Sequence, residues 1–174
     1  MFQTNRLIIR PTNETDATFL VDLMNSPGWL EFIGDRQVYT ESDAISYIKA
    51  RITPQFDRLG YGNYTIIKKA DSVKIGSCGL YDREGLAGID IGYALLPDFQ
   101  GKGYAFEAVN ELKNIAFNQF NLPEIKAITN KENLPSQQLL KKIGLTFKSY
   151  IILPHEAEEI LLFSSVYQNS SHST

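Results

Sequence analysis

A glycine-rich segment, Gln100-Gly-Lys-Gly-Tyr-Ala105, directly precedes a predicted helix. The first turn of a helix carries backbone N–H groups without partners and a partial positive charge, and both attract phosphate oxygens. Gly101 and Gly103 let the backbone approach such a ligand because neither has a side chain in the way. The segment therefore predicts an anion-binding turn.

Two common phosphate-binding motifs do not fit this segment. A P-loop needs four residues between its first glycine and a Gly-Lys-Ser/Thr sequence, and here Gly103 is followed by Tyr104. A dinucleotide fingerprint would place its third glycine at Phe106 and would open a βαβ unit. The sequence thus disfavours a nucleotide-binding phosphotransferase. The alternative that the two glycines only shape the start of a helix stays open.

The elements that hold this turn follow from hydrophobic spacing and turn residues. Short apolar runs that end at proline, glycine or charged turns predict seven strands, at 6–10, 63–69, 74–81, 88–96, 124–129, 146–153 and 159–167. Apolar residues at helical spacing predict four helices, marked by residues 17–24, 44–52, 105–116 and 139–143. Thr40 is the expected cap of the second helix. The stretch 29–40 has no period and is expected to be a loop.

This order of elements predicts an α/β (α+β) fold in a single domain over residues 1–167. A chain of 174 residues, 43% of them hydrophobic, can bury one core. The three strands between residues 63 and 96 are expected to form an antiparallel meander. The whole sheet is expected to be mixed and mostly antiparallel, with about seven strands and about four flanking helices. The polar end, 168–174, is expected to be a disordered tail.

Charge and apolar content limit the classes of partner. A net charge of −3 argues against nucleic acid, because phosphate binding normally requires clustered Lys and Arg. No segment approaches the roughly 20 apolar residues of a membrane span, so no membrane partner is expected. The amino terminus lacks the pattern of a secretory signal, so a cytoplasmic location is expected. His155 and His172 are isolated, and no metal site is expected.

Several segments of the chain match one known family. The pattern Gln100-x-x-Gly103-x-Ala105 resembles the acetyl-coenzyme A signature of the GNAT acetyltransferase superfamily. The other matching segments are Thr4-x-Arg6-Leu-x-x-Arg10-Pro11, Gly101-Lys-Gly-Tyr-Ala-Phe-Glu-Ala108 and Asn133-x-x-Ser136-x-x-Leu-Leu-Lys-Lys-Ile-Gly144. They occur in the family's order over most of the chain. Together they resemble the branch that contains the ribosomal-protein and amino-acid N-acetyltransferases.

The resemblance implies acetyl-coenzyme A as the co-substrate. Backbone groups of Tyr93, Ala94 and Leu95 would pair with the pantetheine arm like an added strand. The pyrophosphate would be held by the segment made of Gln100, Gly101, Lys102, Gly103, Tyr104 and Ala105. Asn133 matches the position that hydrogen-bonds the pantetheine region, and it also suits the cap of a helix. Both roles of Asn133 stay open.

Direct acetyl transfer needs a neutral amine and a proton for the departing thiolate. Asp90 is the candidate base, since related enzymes often carry a carboxylate on this strand; a solvated carboxylate at the strand edge is the alternative. A carboxyl with a pKa of about 3.9 is a weak base, so burial or relay through water is needed. Many members of the superfamily protonate the thiolate with a tyrosine in the fourth helix, where this chain has Leu140. Ser136 is the alternative hydrogen-bond donor to the sulfur.

The segment 27–36 is expected to border the acceptor pocket. Trp29 could form part of a packed lid, Asp35 could meet a cationic amine and Arg36 could bind a carboxylate; a plain surface loop is the alternative. The predicted reaction transfers an acetyl group to the primary amine of a peptide terminus, an amino acid or a small molecule. A catalytically weak acyl-coenzyme A-binding or regulatory domain is the alternative function. A domain of the predicted fold can also form a homodimer through its carboxyl-terminal strands.

Overall fold

Eight strands form one sheet in the computed structural model, which describes residues 1–168. The strands are β1 (Phe2–Gln3), β2 (Leu7–Pro11), β3 (Asn63–Lys68), β4 (Lys74–Asp82), β5 (Ile89–Leu95), β6 (Glu124–Thr129), β7 (Thr146–Ile151) and β8 (Ile160–Val166). Their order is β1-β2-β3-β4-β5-β6-β8-β7, and only β5 and β6 run parallel among the described residues. The predicted mixed, mostly antiparallel sheet is confirmed. It has one strand more than predicted, because Phe2 and Gln3 pair with β2 at the edge.

The helices lie on both faces of this sheet. They are α1 (Ala17–Met24), α2 (Pro27–Phe32), α3 (Glu41–Tyr47), α4 (Thr53–Leu59), α5 (Tyr104–Asn118) and α6 (Leu134–Lys142). A π turn, Ile48–Ile52, joins α3 and α4 without a break. It ends at Ile52, two residues before Pro54, which lacks the N–H of a regular helix and crowds the preceding turn. The wider hydrogen-bond spacing lets the helix continue past this proline.

The expected loop at 29–40 was partly wrong, because its first residues belong to α2. Ser26 is extended, and Pro27 follows it in the first turn, where a fixed φ and a missing N–H are tolerated. The predicted cap of the next helix is confirmed. The Thr40 hydroxyl accepts a hydrogen bond from the Asp43 N–H at 3.1 Å, and the Asp43 carboxylate accepts one from the Thr40 N–H at 2.9 Å.

Strand β5 contributes to two hydrophobic cores, one on each face of the sheet. Ile91 belongs to the larger core, with residues of α5 and α6 such as Leu112 and Leu140. Ala94 packs against the smaller core, which α1 and α3 build around residues such as Leu23. Alternate side chains of a strand point to opposite faces, so β5 is fixed from both sides. This strand is therefore a rigid support for a site at its carboxyl end.

A buried ion pair fastens the start of α1 to the sheet. The Asp16 carboxylate is fully buried, and its oxygens accept hydrogen bonds from the Arg10 guanidinium at 2.7 and 2.8 Å. The Lys74 ammonium lies 2.8 Å from the same carboxylate. Burial alone would raise the pKa of Asp16, but these hydrogen bonds outweigh it and lower the pKa to about 2.

Of the predicted tail at 168–174, residues 169–174 lie outside the described part of the chain.

Candidate active site

One edge of β5 lacks a strand partner along most of its length. Asp90 pairs with Lys126 of β6, and within residues 1–168 the parallel register stops there. The other edge stays paired with β4 as far as Leu95. Backbone N–H and C=O groups that face the β6 side after Asp90 are thus available to an extended ligand. The predicted pantetheine contacts of Tyr93, Ala94 and Leu95 fall on this stretch.

The glycine turn leads from the end of β5 into α5. Gly101 and Gly103 adopt φ values of 70° and 82°, a region that L-residues with side chains rarely enter. Gly103 is the residue before the helix, and no side chain caps this helix start in the described structure. The N–H groups of the first turn therefore remain free to donate to an anion.

The side chains of this turn mainly contact the protein's own backbone. The Gln100 amide donates to the Leu95 carbonyl at 3.1 Å, and the Lys102 ammonium donates to the Asp98 carbonyl at 2.7 Å. The ring of Tyr104 lies under the Arg6 guanidinium, 4.3 Å from ring centroid to Cζ. A phosphate ligand would thus be met by backbone N–H groups. Apart from Gly101 and its two chain neighbours, no described residue has an atom within 4 Å of a Cβ built on Gly101, so a diphosphate has room to approach.

The start of α6 lies beside β5 on the face of the larger core. The Asn133 carboxamide accepts a hydrogen bond from the Ser136 N–H at 3.2 Å, so the predicted capping role is present. Ser136 is buried, and its side chain interacts with the Tyr93 phenol. Burial raises the pKa of Tyr93, and the Ser136 side chain opposes that rise. Leu140, at the position of the tyrosine common in related enzymes, is buried in the core.

Asp90 is buried, with only 1% of the residue exposed, so the solvated alternative was wrong. Its oxygens accept hydrogen bonds from Arg83 Nε at 3.2 Å and Arg83 Nη2 at 3.3 Å. Burial raises the pKa of Asp90, and the Arg83 charge opposes the rise without cancelling it. A carboxylate with a raised pKa is a better proton acceptor near neutral pH than an exposed one.

Three contacts of the site were not predicted: the Arg83 partnership, the phenol of Tyr93 beside Ser136, and a link between Arg6 and the glycine turn. Asp82 of β4 pairs with Ile89 of β5, and Arg83 lies in the turn between these two residues. The arginine in this turn, seven residues before Asp90, is a signal in the sequence for the partner, but the burial of Asp90 is not visible there. The other two contacts depend on how distant elements pack.

The predicted acceptor residues lie in two different environments. Trp29, on α2, packs against the smaller core, as Ala94 of β5 also does, and donates its indole N–H to the Gly34 carbonyl at 3.1 Å. Asp35 is exposed, and hydrogen bonding to the Tyr39 phenol lowers the pKa of its carboxyl. Arg36 is also exposed. Trp29 thus packs against the same core as Ala94 of β5, whereas among the described residues no hydrogen bond joins Asp35 or Arg36 to Asp90 or Ser136.

Within residues 1–168, no helix is long and apolar enough to cross a bilayer. The same residues hold no group of three or more His, Cys, Asp and Glu side chains placed to bind a metal ion.

Comparison with known proteins agrees with this geometry. The family model described as the acetyltransferase (GNAT) domain matches residues 6–146. The chain therefore belongs to the GNAT acetyltransferase family, and it is an acetyl-coenzyme A-dependent N-acetyltransferase. The predicted superfamily is confirmed.

Relatives and solved structures extend this similarity along the chain. The N-acetyltransferase p20 of Bacillus licheniformis is 31% identical over 81% of this chain and 79% of its own. YnaD of Bacillus subtilis (strain 168) is 28% identical over 82% and 80%. A RimL ribosomal L7/L12 alpha-N-protein acetyltransferase solved with coenzyme A shares the fold, with a TM-score of 0.78, 17% identity and coverage of 94% and 95%. A spermidine N-acetyltransferase from Vibrio cholerae, solved with coenzyme A and spermine, has a TM-score of 0.77, 15% identity and coverage of 94% and 96%.

Proposed function

We propose that this enzyme transfers an acetyl group directly from acetyl-coenzyme A to a primary amine at the carboxyl end of β5. The observation that carries the proposal is the unpaired edge of β5 beside an uncapped helix start. This combination suits a ligand with an extended amide-containing arm and a diphosphate. When bound, acetyl-coenzyme A supplies an activated acetyl group as a thioester.

In this proposal, alternate backbone groups of Tyr93, Ala94 and Leu95 bind the pantetheine arm, with support from Asn133. The N–H groups from Gly101 to Ala105 bind the diphosphate. Asp90 accepts the amine proton through a water molecule, and its raised pKa supports that role. Ser136 donates a hydrogen bond to the departing sulfur. Its burial beside the Tyr93 phenol supports this assignment.

The proposed acceptor is the amine of a peptide terminus, an amino acid or a small molecule. The similar folds named above include a ribosomal L7/L12 alpha-N-protein acetyltransferase and a spermidine N-acetyltransferase. A chain with a net charge of −3 also favours a cationic acceptor over an anionic one. We place Trp29, Asp35 and Arg36 along the acceptor path, and Trp29 packs against the same core as Ala94 of β5.

A thiol-release assay over a panel of peptides, amino acids and polyamines tests the proposal. We expect acetyl-coenzyme A-dependent thiol release with one class of amine and a mass gain of one acetyl group on that amine. Calorimetric binding of acetyl-coenzyme A without thiol release on any amine would instead support the catalytically weak binding domain.

The proposed assembly is a homodimer formed through β7. This strand is at the edge of the sheet and leaves Phe147 and Tyr150 44% and 55% exposed. An unpaired edge with apolar side chains favours association with a second copy. Light scattering should give the mass of two chains for the native protein and of one chain for Tyr150→Lys. A single-chain mass for the native protein would contradict the homodimer.

A further inference from the structure

The Arg6 side chain connects the start of β2 to the glycine turn and to the first turn of α5. Its Nη1 donates to the Lys102 carbonyl at 3.1 Å, and its Nε donates to Glu107 Oε2 at 2.7 Å. The guanidinium also stacks over the Tyr104 ring. One side chain thus contacts both sides of Gly103, the residue that precedes the helix.

Glu107 is held by three hydrogen bonds from the same short segment. Its Oε1 accepts from the Arg6 N–H at 2.7 Å and from the Thr4 hydroxyl at 2.5 Å, in addition to the Arg6 Nε contact on Oε2. These partners are about one hundred residues away along the chain. Hydrogen bonds that involve charged groups are stronger than neutral ones. The carboxylate therefore fixes the Arg6 guanidinium in place.

The direction of the Lys102 carbonyl decides where the next N–H group points. The described peptide bonds are all trans, so the C=O of Lys102 and the N–H of Gly103 point in opposite directions. Arg6 holds the carbonyl on its own side and thereby directs the Gly103 N–H to the opposite side. The turn has two glycines with positive φ, and ordering such residues costs conformational entropy.

We propose that Arg6 and Glu107 are positioning residues that hold the glycine turn in the conformation that binds the diphosphate of the acetyl donor. Neither side chain needs to touch the donor. The inference rests on the donor part of the proposed function and is independent of the acceptor.

A comparison of two acetyl donors distinguishes this positioning role from a general structural role. Acetyl-coenzyme A carries the diphosphate, and acetyl-pantetheine lacks it. We expect Arg6→Ala to raise the KM for acetyl-coenzyme A about tenfold, since 1.4 kcal/mol corresponds to a factor of ten. The kcat should change less than about twofold, and kcat/KM with acetyl-pantetheine should stay at the native value. Glu107→Gln should show the same pattern with a smaller change.

Arg58→Ala is the matched control, because Arg58 is an exposed arginine that forms an ion pair with Asp82 far from the turn. This variant should leave the KM and kcat with both acetyl donors unchanged. Arg6→Lys keeps the positive charge and one N–H group that can donate a hydrogen bond to the Lys102 carbonyl, so it should recover part of the affinity for acetyl-coenzyme A. It also provides a milder variant if Arg6→Ala does not fold. Equal losses with both donors, or an unchanged KM for acetyl-coenzyme A, would overturn the inference.

Calorimetric titration with coenzyme A gives the same comparison without an acceptor. The inference is supported if native protein binds coenzyme A and Arg6→Lys or Arg6→Ala protein binds it several-fold more weakly. This result does not require that the acceptor amine be known. Equal Kd values for native and variant proteins contradict it. Native protein that fails to bind coenzyme A contradicts the proposed function itself.

Discussion

The buried carboxylate of Asp90 faces the guanidinium of Arg83, with each of its two oxygens 3.2 to 3.3 Å from a nitrogen. Asp90 lies where β5 and β6 stop pairing, and Arg83 lies in the turn that precedes β5. About a third of the Arg83 side chain is exposed. The pair therefore joins a buried carboxylate to a charge that reaches the surface.

Arg83→Gln should shift the acidic limb of the pH profile to higher pH. If Asp90 accepts the proton, activity is lost as the pH falls through its raised pKa. Removal of Arg83 takes away the opposing charge, so the pKa rises further and activity is lost at a higher pH. We expect the acidic limb of the kcat/KM profile to move by about one pH unit.

Tyr81 and Lys126 are the neighbouring titratable groups on β4 and β6, and both remain in this variant. Arg58→Gln removes an exposed arginine and should leave the profile in place. Asp90→Asn should abolish the limb. An identical limb in native, Arg83→Gln and Asp90→Asn proteins would exclude Asp90 as the base.

Ser136→Ala should lower kcat about tenfold while the Kd for acetyl-coenzyme A changes less than about twofold. A hydrogen bond made only in the transition state affects turnover more than binding, and a factor of ten corresponds to about 1.36 kcal/mol. Single-turnover kinetics and calorimetry give the two quantities. Ser149→Ala, on the exposed strand β7, is the matched control. Unchanged turnover in Ser136→Ala would remove Ser136 from the mechanism.

Gly103→Glu should abolish the thermal protection that acetyl-coenzyme A gives to the native protein. The residue has φ +82°, and a Cβ built there would lie 3.2 Å from Arg6 Nη2, so glutamate would displace the Arg6 guanidinium as well as bring a negative charge to the phosphate site. Gly60→Glu is the control, because Gly60 has a similar φ of +77° in open space at the end of α4. Both variants should lose stability from backbone strain, but only Gly60→Glu should keep the protection. Protection in Gly103→Glu equal to that of Gly60→Glu would contradict the diphosphate site.

Asp16→Asn should lower the free energy of unfolding at pH 7 by about 2 kcal/mol, because each unit of pKa shift corresponds to 1.36 kcal/mol. The folded-state pKa of Asp16 is depressed to about 2, so its stabilising effect is present above the ordinary carboxyl pKa. The effect is lost as the pH falls toward 2. Urea denaturation at pH 7 and at low pH measures the difference between variant and native protein.

Asp71→Asn, at an exposed ion pair with Lys68, is the matched control and should have little effect. An Asp16→Asn deficit that stays constant down to pH 2 would show that the ion pair is not its source.

Elements whose signals are local were predictable from the sequence. Thr40 and Asp43 form a capping box within four residues, and the strand at 124–129 alternates buried and half-buried side chains. The glycine turn was predictable for the same reason, because its two positive φ values need glycine at 101 and 103. These features depend on neighbouring residues alone.

Features that depend on packing between distant segments were not predictable. The burial of Asp90 depends on its place in the centre of the sheet, and its partner lies across a turn. Arg6 and Glu107 meet only when β2 lies beside α5. The helix at Pro27 was missed because the same proline and glycine that end one helix also suit the beginning of another.

The divergence of β5 and β6 also has a mechanical meaning. The sheet consists of a five-stranded part and a three-stranded part whose backbones are joined by one register pair, Asp90 with Lys126. A donor that binds in the cleft bridges the two parts and couples their movements. The acetyl donor would then stiffen the enzyme as well as react in it, and amide protons of β5 and β6 should exchange more slowly in the complex.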